Sequence, residues 1–177
     1  MRKRTYNYLA EDLDMKNQEK TQEIILAPMT GTAVAITDVP DPIFTEKILG
    51  DGIAIIPTDG KIVSPVDGVV SKVVETGHIY EITSESGVKI LIHMGLETVA
   101  LNGKCFQIYA KIGDKVKAGD LIAEADLEFI KETGRNSITP VLISSDLDGK
   151  ELVCEKGEVQ AGKSVIMTLN FIVINFS

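Results

Sequence analysis

Gly77-His78-Ile79-Tyr80-Glu81-Ile82-Thr83, then Ser84-Glu85-Ser86-Gly87, then Val88-Lys89-Ile90-Leu91-Ile92-His93, is the stretch that decides how this chain folds. The first and last runs are rich in β-branched residues and alternate in polarity, and the middle run is a cluster of turn formers. Together they predict a β-hairpin. A symmetric hairpin centred between Glu85 and Ser86 sets Ser84 opposite Gly87, Thr83 opposite Val88 and His78 opposite His93. These are the only two histidines in the chain. Placed that way their Cβ atoms would lie about 4.5–5.5 Å apart on one face. A one-residue slip would separate them, and any chemistry that needs both would fail.

The same texture extends in both directions. From about Ile24 to Leu169, short β-branched runs alternate with Gly, Pro and Asp turns, which is an all-β signature. Brief helical segments are expected at Pro42 to Leu49, Leu96 to Leu101 and Leu127 to Thr133, the last stopped by Gly134. Two echoes run through the chain. Ala27-Pro28-Met29-Thr30-Gly31 resembles Ser64-Pro65-Val66-Asp67-Gly68, and Gly113-Asp114-Lys115-Val116-Lys117-Ala118-Gly119 resembles Gly157-Glu158-Val159-Gln160-Ala161-Gly162 with one gap. Both echoes keep the same order, so the chain reads as a duplicated β-unit forming a sandwich with pseudo-symmetry.

Composition narrows the function. A chain of 177 residues, 44% hydrophobic and 25% charged, is long enough for one domain with a real core. Its formal net charge of −8 argues against nucleic acid and favours a basic protein partner. Cys105 and Cys154 are far apart and read as reduced thiols of a cytoplasmic protein. No apolar segment follows Arg2-Lys3-Arg4, so no signal peptide is expected, and no run reaches the ~20 residues of a membrane span. Residues 1–22 read as a flexible arm, 23–170 as the folded domain and 171–177 as an apolar tail.

Two opposed imidazoles can serve three ends. They can form an inert hydrogen-bonded pair. They can begin a metal site, although neither histidine has the local spacing of a third ligand. Or one can attack phosphorus. A neutral imidazole is a competent nucleophile near neutral pH, and the phosphoramidate it forms stays reactive because the protonated ring leaves well. The other would then donate a hydrogen bond to the phosphoryl group. Thr76 and the backbone N–H of Gly95 stand close enough in sequence to help.

Further blocks carry a resemblance: Ile48-Leu49-Gly50-Asp51-Gly52-Ile53-Ala54-Ile55, Val63-Ser64-Pro65-Val66-Asp67-Gly68, Glu75-Thr76-Gly77-His78, Ile92-His93-Met94-Gly95-Leu96-Glu97-Thr98-Val99, Val116-Lys117-Ala118-Gly119-Asp120 and Thr139-Pro140-Val141. In this order they resemble the glucose-type enzyme IIA family of the bacterial phosphoenolpyruvate-dependent sugar phosphotransferase system, over about residues 23–170. The resemblance implies an antiparallel β-sandwich of duplicated hybrid motifs with short helical turns. It implies a phosphocarrier that takes a phosphoryl group from HPr and gives it to a cysteine of a sugar-specific IIB domain. By resemblance His93 is the phosphorylated residue, through Nε2, and His78 the auxiliary group for onward transfer. Thr76 and Gly95 support the phosphoryl oxygens. Asp41, Ile43, Phe44, Ile48, Leu49, Val74, Leu91 and Glu97 form the docking face, with Glu97 standing where the family usually has Asp. No cofactor is expected of the chain alone; in some family members the two histidines bind zinc when a regulated partner supplies a carboxylate. Regulated transporters or enzymes are further partners the family allows, and membrane contact would come only through the permease. The alternative is a regulatory binding protein of the same fold that is not phosphorylated. The lysine motifs of biotinyl and lipoyl carriers and the paired motifs of related zinc peptidases are missing.

Overall fold

The computed structural model describes residues 21–172. The strands are β1 (Gln22–Leu26), β2 (Gly31–Ala35), β3 (Asp51–Pro57), β4 (Lys61–Val63), β5 (Gly68–Val73), β6 (Ile79–Ser84), β7 (Lys89–His93), β8 (Phe106–Ile108), β9 (Lys115–Val116), β10 (Leu121–Ala125), β11 (Thr139–Ile143), β12 (Lys150–Cys154), β13 (Gly157–Val159) and β14 (Val165–Phe171). Two short helices, α1 (Pro42–Thr45) and α2 (Leu127–Glu132), and two 3-10 turns complete the described elements. β1 starts at Gln22 and β14 ends at Phe171, so strand structure overlaps the expected arm and tail by one residue each. Thr21 and Ile172 are described next to these strands, and residues 1–20 and 173–177 lie outside the described residues.

The duplication is written in the strand order. The large sheet runs β13-β2-β3-β11-β7-β6-β5-β9, and the two small sheets run β1-β14-β12 and β4-β10-β8. Exchanging β1, β2 and β3 with β4, β5 and β6, and β11 to β14 with β7 to β10, maps every sheet onto itself or its twin. One copy of the unit is therefore inserted between β3 and β11 of the other. The two Pro-x-x-Gly echoes bond reciprocally: the N–H of Leu26 donates to Pro65 O at 2.9 Å, and that of Val63 to Pro28 O at 2.9 Å. The two later echoes meet at their ends. A Cβ on Gly162 would lie 3.0 Å from the Cα of Gly119, and Gly162 is at φ 71°, so a side chain there would be both crowded and strained.

Alternation along the strands places the core. Tyr80 and Ile82 on β6, and Ile90 and Ile92 on β7, point between the sheets and are fully buried with Ile25, Met29, Ile53, Ile55 and Ile62. Each such isoleucine contributes about 1.5–3 kcal/mol on burial. The opposite face of the large sheet carries a second cluster of Ile36, Val39, Phe44, Ala54, Leu91, Leu96, Ile138 and Leu142. His93 rides on this outer face, two residues along from Leu91.

The hairpin register differs from the symmetric expectation by one residue. His93 pairs with Ile79, Ile90 with Ile82 and Lys89 with Thr83. The cause is Gly87, at φ 86°. The N–H of Gly87 donates to Ser84 O at 2.9 Å and the N–H of Ser84 to Val88 O at 2.8 Å, so three residues, not two, close the loop. The helical segments also differ. The first ends at Thr45, because Lys47 enters the left-handed region at φ 56°. The second shortens to a 3-10 turn, Thr98–Leu101, because Glu97 is left-handed at φ 58°. The third matches within a residue: Asp126 caps its start by accepting from the N–H of Phe129 at 2.9 Å, and Gly134 turns out of it at φ 76°.

Candidate functional site

Register alone would not bring the histidines together, yet they touch. Their ring centroids lie 5.3 Å apart with planes at 80°. His78 sits just outside β6, after a turn that includes Gly77 at φ 71°, so it is released from the strict alternation of the ladder. Its carbonyl still accepts from the N–H of Met94 at 2.7 Å, which fixes it beside the end of β7. The expected consequence of a slip, loss of the pair, therefore does not follow.

Each ring is held by its Nδ1. Nδ1 of His93 lies 2.9 Å from the carbonyl oxygen of Gly95. A carbonyl only accepts, so Nδ1 carries the hydrogen and the lone pair of the neutral ring is on Nε2. Nδ1 of His78 lies 2.7 Å from Oγ1 of Thr76. A threonine hydroxyl that donates there leaves the His78 hydrogen on Nε2, so that ring presents a donor. Thr76 stands in the turn before β6 and not on the strand face. Thr76 and Gly95 thus meet the imidazoles rather than open space, and Gly95 does so through its C=O.

Burial favours the neutral form of both rings. Desolvation lowers the pKa of His78, and the neighbouring His93 lowers it further. Desolvation also lowers the pKa of His93, against the opposing pull of its bond to Gly95 and of the Asp41 carboxylate. Much of the wall around His93 is Phe44, whose ring meets the imidazole edge-on at 5.0 Å and 70°. Asp41 caps α1, accepting from the N–H of Ile43 at 3.0 Å, and Pro42 follows at the first helical position. That cap presents Phe44 to the ring.

The expected docking residues divide. Ile43, Ile48 and Leu49 are exposed, Ile48 at 64%, and Glu97 is exposed with Asp41 and Val74 half-buried. Phe44 and Leu91 are not surface residues: they are 1% and 7% exposed, packed in the outer-face cluster beneath His93. Strand alternation explains Leu91, which shares its face with His93 but lies under α1. Val99, 49% exposed on the 3-10 turn after Glu97, was not singled out from sequence although it belongs to the same exposed apolar set. Thr98 and Arg135 both hold the loop after His93: Thr98 lies in the block that follows His93 but was given no role from sequence, and Arg135 lies in no motif.

No helix among the described residues is long and apolar enough to cross a membrane. The protein-family model of the phosphoenolpyruvate-dependent sugar phosphotransferase system, EIIA 1, matches residues 23–148. The chain is 46% identical over 156 residues to the glucose-specific EIIA component of Buchnera aphidicola, covering 88% of this chain and 96% of that one. It is 41% identical to the glucose-specific EIIA component of Haemophilus influenzae, covering 91% and 98%. It also matches a glucose-specific EIICBA component of Staphylococcus carnosus at 43% identity, covering 81% of this chain and 21% of that longer protein. The structure of glucose permease IIA from Mycoplasma capricolum superposes with a TM-score of 0.78 at 33% identity, covering 83% of this chain and 95% of that one. The duplicated all-β fold and these relatives agree, and the chain belongs to the EIIA 1 family of phosphotransferase components of the phosphoenolpyruvate-dependent sugar phosphotransferase system.

Proposed function

We propose that this protein is a cytoplasmic phosphocarrier in which Nε2 of His93 receives a phosphoryl group from phospho-HPr and yields it to a cysteine of a sugar-specific IIB domain. The observation that carries the residue assignment is the 2.9 Å bond from Nδ1 of His93 to Gly95 O, which leaves Nε2 as the nucleophilic atom. In the first step the Nε2 lone pair forms a bond to phosphorus while the phosphorus–nitrogen bond of phospho-HPr breaks. The His93 ring is then a cation, because Nδ1 keeps its hydrogen, and Gly95 O stabilises it. In the second step the IIB thiolate attacks phosphorus and the ring leaves as neutral imidazole. No proton has to move to or from His93 in either step, and no cofactor enters the balance.

His78 fits the auxiliary role. With the Thr76 hydroxyl donating to Nδ1, the hydrogen of His78 is on Nε2, where it can reach a phosphoryl oxygen held on the facing ring. Thr76 and Gly95 act by orienting the two imidazoles. The exposed Ile43, Ile48 and Leu49 surround the site with apolar surface, and Asp41 and Glu97 give it the acidic rim that a basic donor protein would find. A relative that carries EIIA in one chain with EIICB supports a IIB partner, and glucose as the sugar follows the relatives.

The test is transfer of label from phosphoenolpyruvate through enzyme I and HPr. His93→Ala is expected to take none, and His78→Gln to take label but not pass it to IIB. Label entering His93→Ala would refute the assignment. A wild-type protein that takes no label would be a binding protein of the same fold.

A further inference from the structure

The loop from Met94 to Thr98 carries the Gly95 oxygen that orients His93, and that loop is tied at every residue. Met94 N–H donates to His78 O at 2.7 Å, and the Thr98 hydroxyl donates to Met94 O at 2.5 Å. Leu96 N–H donates to Asn136 O at 2.8 Å, and Nε of Arg135 donates to Glu97 O at 3.0 Å. The first two ties are made within the hairpin and the loop itself. The last two come from the connection between α2 and β11, more than thirty residues away in sequence.

The loop needs those outside ties, because Glu97 is a non-glycine residue in the left-handed region at φ 58°. That conformation is unfavourable for an L-residue and persists only where neighbours over-determine it. The fold delivers Arg135 to the spot. After α2, Gly134 turns the chain at φ 76°, its N–H donating to Lys131 O at 2.9 Å, and the N–H of Arg135 donates back to Ile130 O at 3.3 Å. A few residues later β11 pairs with β7, so the connection is pinned at both ends. Arg135 is half-buried, and its Nε–H projects in a fixed direction from a planar, permanently charged group.

We propose that Arg135 is a positioning residue for phosphoryl acceptance: by holding the Glu97 carbonyl it keeps the loop in the strained form that sets Gly95 O on Nδ1 of His93 and leaves Nε2 free to react. This rests on the phosphocarrier reading, and it adds a residue from a distant segment to the machinery of the site.

Arg135→Met keeps the aliphatic stem and removes the donor. Lys131→Met, an exposed residue of the same segment, controls for loss of one positive charge. The first readout is the pair of ring-nitrogen chemical shifts of His93 in the protein alone at slightly alkaline pH, which report which nitrogen carries the hydrogen. Wild type and Lys131→Met are expected to show the hydrogen on Nδ1, and Arg135→Met a mixture of both forms. The second is the initial rate of label uptake from phospho-HPr, expected to fall about tenfold in Arg135→Met and to hold in Lys131→Met, one hydrogen bond's worth of alignment. If Arg135→Met keeps either the wild-type ring pattern or the wild-type rate, the proposal is overturned. If wild type itself takes no label, the phosphocarrier reading fails, and the ring pattern of Arg135→Met alone then decides whether the clamp exists.

Discussion

Gly95→Ala is the sharpest single perturbation of this site, because two independent penalties fall on one methyl group. Gly95 is at φ 74°, where an L-residue costs about 1–2 kcal/mol. An added Cβ would lie 2.5 Å from Cγ2 of Thr98 and 3.0 Å from the carbonyl oxygen of Asn136. The first contact must be relieved by movement, and overpacking of that kind costs about 1–3 kcal/mol. The sum is about 2–5 kcal/mol of lost stability. Relief that keeps the Thr98 hydroxyl on Met94 O has to shift the backbone at residue 95, carrying Gly95 O off Nδ1 of His93. Urea unfolding should show the stability loss at unchanged slope, and label uptake should fall at least about tenfold. Thr98→Ser separates the two penalties. It removes Cγ2 and keeps the hydroxyl that donates to Met94 O. The double variant Gly95→Ala with Thr98→Ser should regain the overpacking part and retain the left-handed part. Wild-type stability and uptake in Gly95→Ala, or no recovery in the double variant, would refute the claim that this packed carbonyl fixes the ring.

Other expectations can be checked on the same protein. Both histidines have pKa values lowered by burial from the ordinary 6.5. On unfolding they regain the ordinary value, so as pH falls below about 6.5 the unfolded chain binds protons first and stability declines, levelling once the lower folded values are passed. The double variant with Gln at His78 and His93 should lose that part of the decline in urea titrations at stepped pH. For the same reason label uptake should fall less between about pH 7.5 and 6.5 than protonation of a free imidazole would make it. Phe44→Ala should cost about 3–5 kcal/mol as a buried aromatic truncation, and should move the His93 pKa back toward 6.5 by admitting water, read by ring-proton shifts against pH. The hydroxyl of Tyr80 is buried with no hydrogen-bond partner among the described residues, and burial drives its pKa well up. Tyr80→Phe should therefore leave stability unchanged or raise it by about 1 kcal/mol, and a loss in thermal melting would contradict that reading.

The all-β class and the duplication were legible because both rest on local chemistry. Alternation places Tyr80, Ile82, Ile90 and Ile92 on one face, and the two Pro-x-x-Gly turns sit at equal places in the repeated unit. What misled was the assumption that turn residues close a hairpin symmetrically. Ser84-Glu85-Ser86-Gly87 admits a two-residue or a three-residue loop, and only the left-handed geometry of Gly87 selects the second. The docking face was half legible for a related reason. Ile43 and Phe44 are adjacent apolar residues, and composition treats them alike, yet on a helix capped by Asp41 one faces outward and the other is driven against His93.

The observed register shows how the pair of histidines is secured. Had the ladder alone placed them, a one-residue shift would have put His78 on the core face, where Tyr80 and Ile82 are. Instead His78 lies beyond the last paired residue, where Gly77 turns the chain and the ring is free of the alternation. Its position is set by its own carbonyl on Met94 N–H and by Nδ1 on Thr76, and that of His93 by Gly95 O and the Phe44 ring. Each imidazole is thus oriented by contacts outside the β6–β7 ladder. Substitutions in the hairpin turn, such as Gly87→Ala, should then act on stability while sparing the ring geometry. Substitutions at Thr76, Gly95 or Phe44 should act on the rings, because the strands supply the platform and the flanking turns supply the aim.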